Sequence, residues 1–268
     1  IVFCLLFATA VVMVGQSARP VGAFFEALND VMMRIVMWLV YLSPVGIFAL
    51  IASTLGKAGG GAAFASELAA VGLYVTAVVA GLGIHFLVLC ALLVVMGRRG
   101  SEYIVASLRA LLTAFGTASS SATIPVSLDC AVEGGVDRRA ARFIIPLGAT
   151  VNMNGTALYQ GVATMFIAQA YGLDMSISQQ AIILITATLA AVGTAGVPQA
   201  GLVMLLIVFA AVNLPTEGLG LILAVDWFVD RCRSTINVWG DLVGAAVIER
   251  RVFSPRSQSA VDVEDEFR

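Results

Sequence analysis

The stretch DWFVDRCRSTINVWGD, residues 226–241, sets three aspartates and two arginines in a chain otherwise rich in Leu, Val, Ile and Ala. A helix advances about 100° per residue. On that wheel Asp226, Asp230, Arg233, Asn237 and Asp241 fall within an arc of about 80°, and Arg231 falls well off it. The five therefore form one polar face. Their surroundings decide what that face means. Of 268 residues, 60% are hydrophobic and 12% charged, and the mean hydropathy is +0.97. A soluble domain carries about 25% charged residues, so this is the composition of an all-α integral membrane protein. Charge at membrane depth is costly and by default marks a pathway or a binding site. A self-paired structural network, Asp230 with Arg233, would account for only two of the five residues. The net charge of −2 argues against nucleic acid as a partner.

The face divides by chemistry. Arg233 offers a fork of donors suited to a carboxylate. Asp230 suits an ammonium group. Asn237 and Asp241 are oxygen ligands of the kind hard cations take. An amino acid with an acidic side chain complements the set, and a sodium ion fits its lower end.

Outward from this segment, the pattern predicts the end of one helix over residues 1–15, then a polar stretch from Gln16 to Asp30. It predicts helices over 32–55 and 68–97 around the loop GKAGGGAAFASE (residues 56–67), and a last helix over 218–249. Between them lie three apolar stretches that are interrupted. Residues 103–135 are broken by GTASSSATIP, 140–171 by NMNGT, and 178–213 by GTAGVPQAG. Such Gly-, Ser- and Pro-rich breaks are poor helix interiors. At membrane depth they survive only where protein buries them or a water-filled cavity meets them. There, freed N–H groups can hold a carboxylate and freed carbonyls a cation. The tail, 252–268, reads as disordered. Ile1 opens in mid-run without a basic leader, so the sequence reads as the C-terminal part of a longer protein.

Basic clusters at Arg98–Arg99, Arg138–Arg139–Arg142 and Arg250–Arg251–Arg256 set an orientation if they are cytoplasmic. On that assumption segment 100–137 enters and leaves on the inside, and segment 172–217 does so on the outside. Each is followed by an interrupted or polar helix. Two re-entrant hairpins in an inverted repeat is the layout of secondary transporters; ordinary kinked helices are the alternative. The cysteines, Cys4, Cys90, Cys130 and Cys232, show no disulfide or zinc spacing. His85, the single histidine, reads as a structural group bonded to a neighbouring helix. The sequon Asn154-Gly155-Thr156 lies inside an apolar stretch, so its use as a glycan acceptor is not expected.

Taken in order, SSSATIP, NMNGT, GTAGVPQAG and DWFVDRCRSTINVWGD resemble the glutamate/aspartate transporter family, the dicarboxylate/amino acid:cation symporters, over residues 1–251. The resemblance implies a homotrimer of elevator-type carriers. Residues 1–66 would be a partial scaffold, 67–251 the transport domain and 252–268 a cytoplasmic tail. It implies that Arg233 binds the substrate's side-chain carboxylate and Asp230 its amino group. Asn237, Ser120 and the hairpin-tip backbone would hold the α-carboxylate, and Ser119 and Ser121 beside Ser120 would also be substrate-binding residues. Thr156 and Ser234 would line the pocket, with Val197 and Gly201 in the gate. One sodium site would use Gly148, Asn152, Asn237 and Asp241, and a second Thr150 with carbonyls near Ala191, Val192 and Thr194. Asn154 stands where the family carries an aspartate that helps bind a third sodium, which leaves that third site unsupported. Gln160 stands where proton-coupled animal carriers have glutamate, so proton coupling and potassium counter-transport are unsupported too. Arg231 matches an arginine of the animal acidic carriers; archaeal carriers place it in the first hairpin, where this chain has Ala118.

The expected function is sodium-coupled symport of aspartate or glutamate, in a plasma or inner membrane with the C-terminus cytoplasmic. Alternatives are a neutral amino acid exchanger, which lacks the counterpart of Arg233, an anion-conducting channel, and an inactive truncated fragment. An enzyme is not expected, because no nucleophile–base set accompanies the stripe.

Overall fold

The computed structural model describes residues 2–58 and 62–253, and all regular structure among them is helical. It falls into two compact units divided between residues 59 and 60. In the first, α1 (Val2–Val14) ends at Gly15, whose φ of +70° suits a residue without a Cβ, and a short 3-10 turn leads into α2 (Arg19–Ala58). The expected polar break from Gln16 to Asp30 is therefore confined to residues 15–18; from Arg19 onward the chain is helical. Phe7, Phe24 and Phe25 pack edge to edge there and supply apolar contact for a segment whose composition alone looks loop-like.

The second unit begins with α3 (Ala62–Leu92), which closes in a π-turn, Leu93–Gly97. The expected loop over 56–67 is thus helical at both of its described ends; residues 59–61, and the tail from 254 onward, lie outside the described residues. The tail's first two residues, Val252 and Phe253, belong to a π-turn that ends the last helix. With its π-turn, the segment Leu68–Gly97 is long and apolar enough to cross a bilayer.

Four shorter helices follow in two hairpins. Helices α4 (Ser101–Thr117) and α5 (Ser120–Glu133) pack on each other, as do α8 (Ile177–Val192) and α9 (Ala200–Ala211). At 1.5 Å per residue they span about 18–25 Å, less than the about 30 Å of a bilayer's hydrocarbon core. The first hairpin turns in only two residues. Ala118, at φ +50°, closes α4, and Ser119 caps α5 by accepting from Ala122 N–H at 3.1 Å. The expected break over residues 116–125 is therefore mostly helix: Gly116 and Thr117 end α4, and Pro125 sits inside α5. Between the hairpins, α6 (Arg138–Val151) and α7 (Asn154–Ala170) are interrupted at Asn152 and Met153, whose ψ values of +64° and +57° are non-helical.

The long α10 (Leu219–Ile248) touches α3, α4, α5, α6 and α7. Trp239, fully buried, stacks on Phe86 at 5.5 Å and anchors its second half. Outside, Leu73, Ile84, Leu87, Leu112, Leu184 and Leu189 are each more than 60% exposed. A polar interior under an apolar surface is the arrangement expected of a protein solvated by lipid.

Helices α7 and α10 meet at Gly155, where a Cβ would lie 2.6 Å from the Arg233 carbonyl and 3.2 Å from Ile236 Cβ. Gly155→Ala is expected to destabilise the protein by about 1–3 kcal/mol through overpacking. Thermal unfolding of the detergent-purified variant would check this, with a lowered Tm as the expected result.

Candidate functional site

Every polar group of the α10 stripe is buried: Asp226, Asp230, Arg233, Asn237 and Asp241 are each 2–3% exposed. Each faces the end of another helix or another member of the stripe. The Arg233 guanidinium donates from Nε (2.8 Å) and Nη2 (2.7 Å) to Asp230 Oδ1. Its Nη1 lies 3.9 Å from Asp226 Oδ1, and its plane lies 4.4 Å from the centre of the Tyr159 ring. A buried cation needs such partners, because unpaired it would cost several kcal/mol. Arg233 Nη1 and both Asp226 oxygens nonetheless make no hydrogen bond.

Asp230 has a second partner. Its Oδ2 accepts the backbone N–H of Gln199 at 2.7 Å. Gln199, at φ +61°, is the residue that opens α9, so this carboxylate caps the second hairpin. Two residues on, a Cβ at Gly201 would meet Arg233 Nη1 at 2.6 Å, so only glycine lets α9 lie against the guanidinium. Gln160 on α7 donates to the Gly201 carbonyl at 3.1 Å.

The two hairpin tips touch. Gly196 O accepts from Ser119 Oγ at 2.6 Å and from Ser121 N–H at 3.1 Å, and a Cβ at Gly196 would overlap Ser121 Oγ. Ser120, Thr156, Val197, Gly201, Asp230, Arg233, Ser234 and Asn237 line a cavity of about 10 Å³ behind this contact, room for roughly one water molecule. The structure thus brings these expected substrate residues together. Ser119 and Ser121 sit instead at the tip-to-tip contact.

Asn237 acts as a cap. Its Oδ1 accepts from Gly155 N–H at 2.8 Å and Thr156 N–H at 3.3 Å, and its Nδ2 donates to Thr156 Oγ1 at 3.0 Å. Asn154 bonds its own neighbour, Gly155 N–H, at 2.8 Å and lies over Gly240. Arg231, off the stripe, donates to the carbonyls of Phe115 (3.0 Å) and Gly116 (2.6 Å) at the C-terminal end of α4.

Of the residues expected at the first sodium site, Gly148, Asn152 and Asp241 come together. Asp241 Oδ1 accepts from Asn152 Nδ2 at 2.9 Å, and a Cβ at Gly148 would overlap the same oxygen. Here a carboxylate lies against the C-terminal turn of α6, where backbone carbonyls already concentrate negative charge. A buried carboxylate with one amide donor and carbonyl neighbours fits a hard cation such as sodium. The second expected set is not assembled in the same way. Thr150 is exposed and its hydroxyl donates to Leu147 O at 2.9 Å. Ala191 O accepts from Thr194 N–H at 3.0 Å, and Thr194 Oγ1 donates to Ala190 O at 2.9 Å. The local backbone of α6 and α8 thus uses groups that the sequence reading reserved for an ion. Val192, half-buried, ends α8.

Two site groups escape the sequence reading. Tyr159 lies three residues after Thr156 on the same helix face, a spacing that points to it. The Gln199 N–H is a backbone donor with no side-chain signature. His85, expected to bond a neighbouring helix, has a buried Nε2 with no hydrogen-bond partner.

Among the described residues, an all-helical body with an apolar exterior, a buried charged stripe and paired half-length helices has the features of a membrane protein built around a polar site, and comparison with known sequences supplies the family. A sequence profile of the sodium:dicarboxylate symporter family matches residues 1–251. The chain is 44% identical to excitatory amino acid transporter 3 of Mus musculus, over 99% of this chain and 50% of that protein. It is 45% identical to excitatory amino acid transporter 4 of Mus musculus (93% of this chain, 44% of that protein). It is 42% identical to excitatory amino acid transporter 1 of Homo sapiens (93% and 46%). The chain belongs to the sodium:dicarboxylate symporter family, a family of transporters and not of enzymes. It spans about half the length of the curated relatives it matches.

If Asn237 holds the α7 N-terminus, Asn237→Ala removes two accepted bonds and lowers stability by about 1–2 kcal/mol even without ligand. Chemical unfolding in sodium-free buffer would check this; an unchanged midpoint would contradict the capping role.

Proposed function

We propose that the protein to which this chain belongs carries an acidic L-amino acid, aspartate or glutamate, across a membrane in symport with sodium. The observation that carries this reading is the buried Arg233–Asp230 pair directly beneath the tip of the second hairpin. The pair joins a carboxylate receptor to an ammonium receptor within one pocket, which is the polarity of an amino acid that bears a second acid group. The relatives' names, excitatory amino acid transporters, agree with it.

In this reading the substrate's side-chain carboxylate is received by Arg233 through Nη1, which has no hydrogen bond of its own. Its ammonium group goes to Asp230. Its α-carboxylate goes to the N–H groups of the Ser119–Ser121 tip and to Asn237. The cavity of about 10 Å³ is far too small for an amino acid, so entry requires the second hairpin to lift. Lifting breaks the Asp230 bond to Gln199 N–H and the Gly196 contacts with Ser119 and Ser121. Sodium, as co-substrate, would neutralise Asp241 beside Gly148 and Asn152; two sodium ions are proposed, and a third is not, given Asn154.

The rest of the reading is architectural. The two hairpins are re-entrant, which suits helices of about 18–25 Å. Residues 67–251 form a transport domain that moves as an elevator against a scaffold that includes residues 1–66. The assembly is a homotrimer in the plasma or inner membrane with a cytoplasmic C-terminus.

In proteoliposomes holding the full-length protein, labelled L-aspartate or L-glutamate uptake is expected only with an inward sodium gradient. Arg233→Ala should cut it by about 100-fold or more, the effect expected from losing one member of a buried pair. Uptake of acidic substrate unchanged by Arg233→Ala, or uptake of neutral amino acids alone, would overturn the proposal. Asp241→Asn should weaken sodium dependence by about tenfold or more, since a cation loses its charged ligand. Sodium titration of substrate binding measures this, and an unaltered sodium curve would remove Asp241 from the ion site.

A further inference from the structure

At the far end of α10 from the pocket, one guanidinium holds three segments together. Arg99, in the link between α3 and α4, donates from Nη1 to Gly134 O at 2.5 Å and from Nη2 to Gly135 O at 2.8 Å. The same Nη2 lies 3.3 Å from Glu249 Oε2 at the end of α10. Gly134 and Gly135 are the turn that leaves α5, so Arg99 occupies the carbonyl end of the first hairpin's second arm. Its side chain is only 20% exposed and lies 5.5 Å over the Tyr103 ring.

The seat is built for it. Gly135, at φ +89°, would put a Cβ 2.8 Å from Arg99 Nη1, and a Cβ at Gly134 would run into the Tyr103 ring at 2.5 Å. Tyr103, in the first turn of the hairpin's first arm, is buried and donates to Leu242 O on α10 at 2.7 Å. Nearby, Arg250 donates to Met96 O at 3.1 Å and ties α10 to the end of α3. Both arms of the first hairpin are therefore fastened at their base to α10. Its tip is fastened as well, through Arg231 to Phe115 O and Gly116 O.

We propose that Arg99 is a lock on the first hairpin. It is a positioning residue that fixes the hairpin to α10 and so keeps the pocket closed at that end while the second hairpin opens. The fastening is read from contacts alone; its link to the pocket rests on the transport reading above. With the lock broken, the first hairpin separates from α10 at its base, and its buried interior is exposed without any need for substrate.

The chain carries its own reporter. Cys130, in α5, is a free thiol with 0% exposure, packed in the core with Tyr103 and Ala131. In full-length protein with Cys130 as the single cysteine, reconstituted in liposomes, its reaction with a maleimide measures opening of this hairpin. Arg99→Ala should speed labelling by about tenfold or more, the order by which one charge-assisted hydrogen bond shifts a local opening equilibrium. Arg99→Lys, which keeps the charge but not the fork, should restore part of the protection. Glu249→Gln, which removes the charge that ties Arg99 to the end of α10 and leaves the arginine intact, should reproduce part of the faster labelling; it decides the question if Arg99→Ala does not fold. Labelling at the parental rate in folded Arg99→Ala and Glu249→Gln would overturn the lock. So would an equal rise at a single Cys232 in the same backgrounds, since that marks general loosening. Labelling needs no transport, so absence of sodium-driven uptake would count against the transport reading alone.

Discussion

A helix that ends inside an apolar body leaves backbone N–H and C=O groups with no water to bond. This chain ends several helices there, and α10 supplies most of the missing partners, with Arg99 from the link before α4 supplying the rest. The match follows the sign of each end. Acceptors meet N-termini: Asn237 caps α7 and Asp230 meets Gln199 at the start of α9. Donors meet C-termini: Arg231 takes the last carbonyls of α4, and Arg99 those at the end of α5. The charged stripe is thus first a device that makes interrupted helices possible in an apolar setting. One member breaks the sign rule: Asp241, an acceptor, lies against the C-terminal turn of α6, and that mismatch is the reason a sodium ion is proposed there.

The same residues serve the pocket because capping and binding ask for the same groups. A carboxylate that holds the N–H of Gln199 can hold an ammonium group, and the two compete for Asp230 Oδ2. In the transport reading proposed above, ligand capture and release of the second hairpin would be one exchange of partners with no separate relay. Gly201 adds a steric link, since α9 lies against the Arg233 guanidinium with no room for a Cβ. Any group that moves Arg233 moves against the gate.

Much of this was legible in the sequence, for physical reasons. The helices near 68–97 and 218–249 announced themselves by length and apolarity, and α10 runs from Leu219 to Ile248. The stripe was legible because a period of 3.6 survives any tertiary context. The breaks at NMNGT and GTAGVPQAG were legible as Gly, Asn and Pro clusters. ASSSATIP misled, because a single Ser119 cap with a left-handed Ala118 turns the chain in two residues and lets the serines join α5. Gln16–Asp30 misled in the same direction: its charges read as loop, yet from Arg19 the chain is helical and Phe24 and Phe25 pack on each other. The Gln199 N–H and the carbonyls that seat Arg99 were beyond reach, since backbone partners carry no residue identity.

The distribution of contacts along α10 also explains how one helix can be both scaffold and site. Its second half packs large rigid groups: Trp239 on Phe86 and Tyr103, and the Tyr103 hydroxyl on Leu242 O. Such buried aromatic packing is dense and slow to open. Its first half meets the hairpin tips through a few polar bonds, Asp230 to Gln199 and Arg231 to Phe115 and Gly116, and one ring contact, Phe228 on Phe115. Motion belongs where contacts are few and exchangeable, and stability where they are many and apolar. The second hairpin meets α10 at its first half, through Gln199 and Gly201. The first is fastened at both halves, through Arg231 at its tip and Tyr103 at its base. In the transport reading proposed above, that difference in attachment makes the second hairpin the mobile one and the first its support.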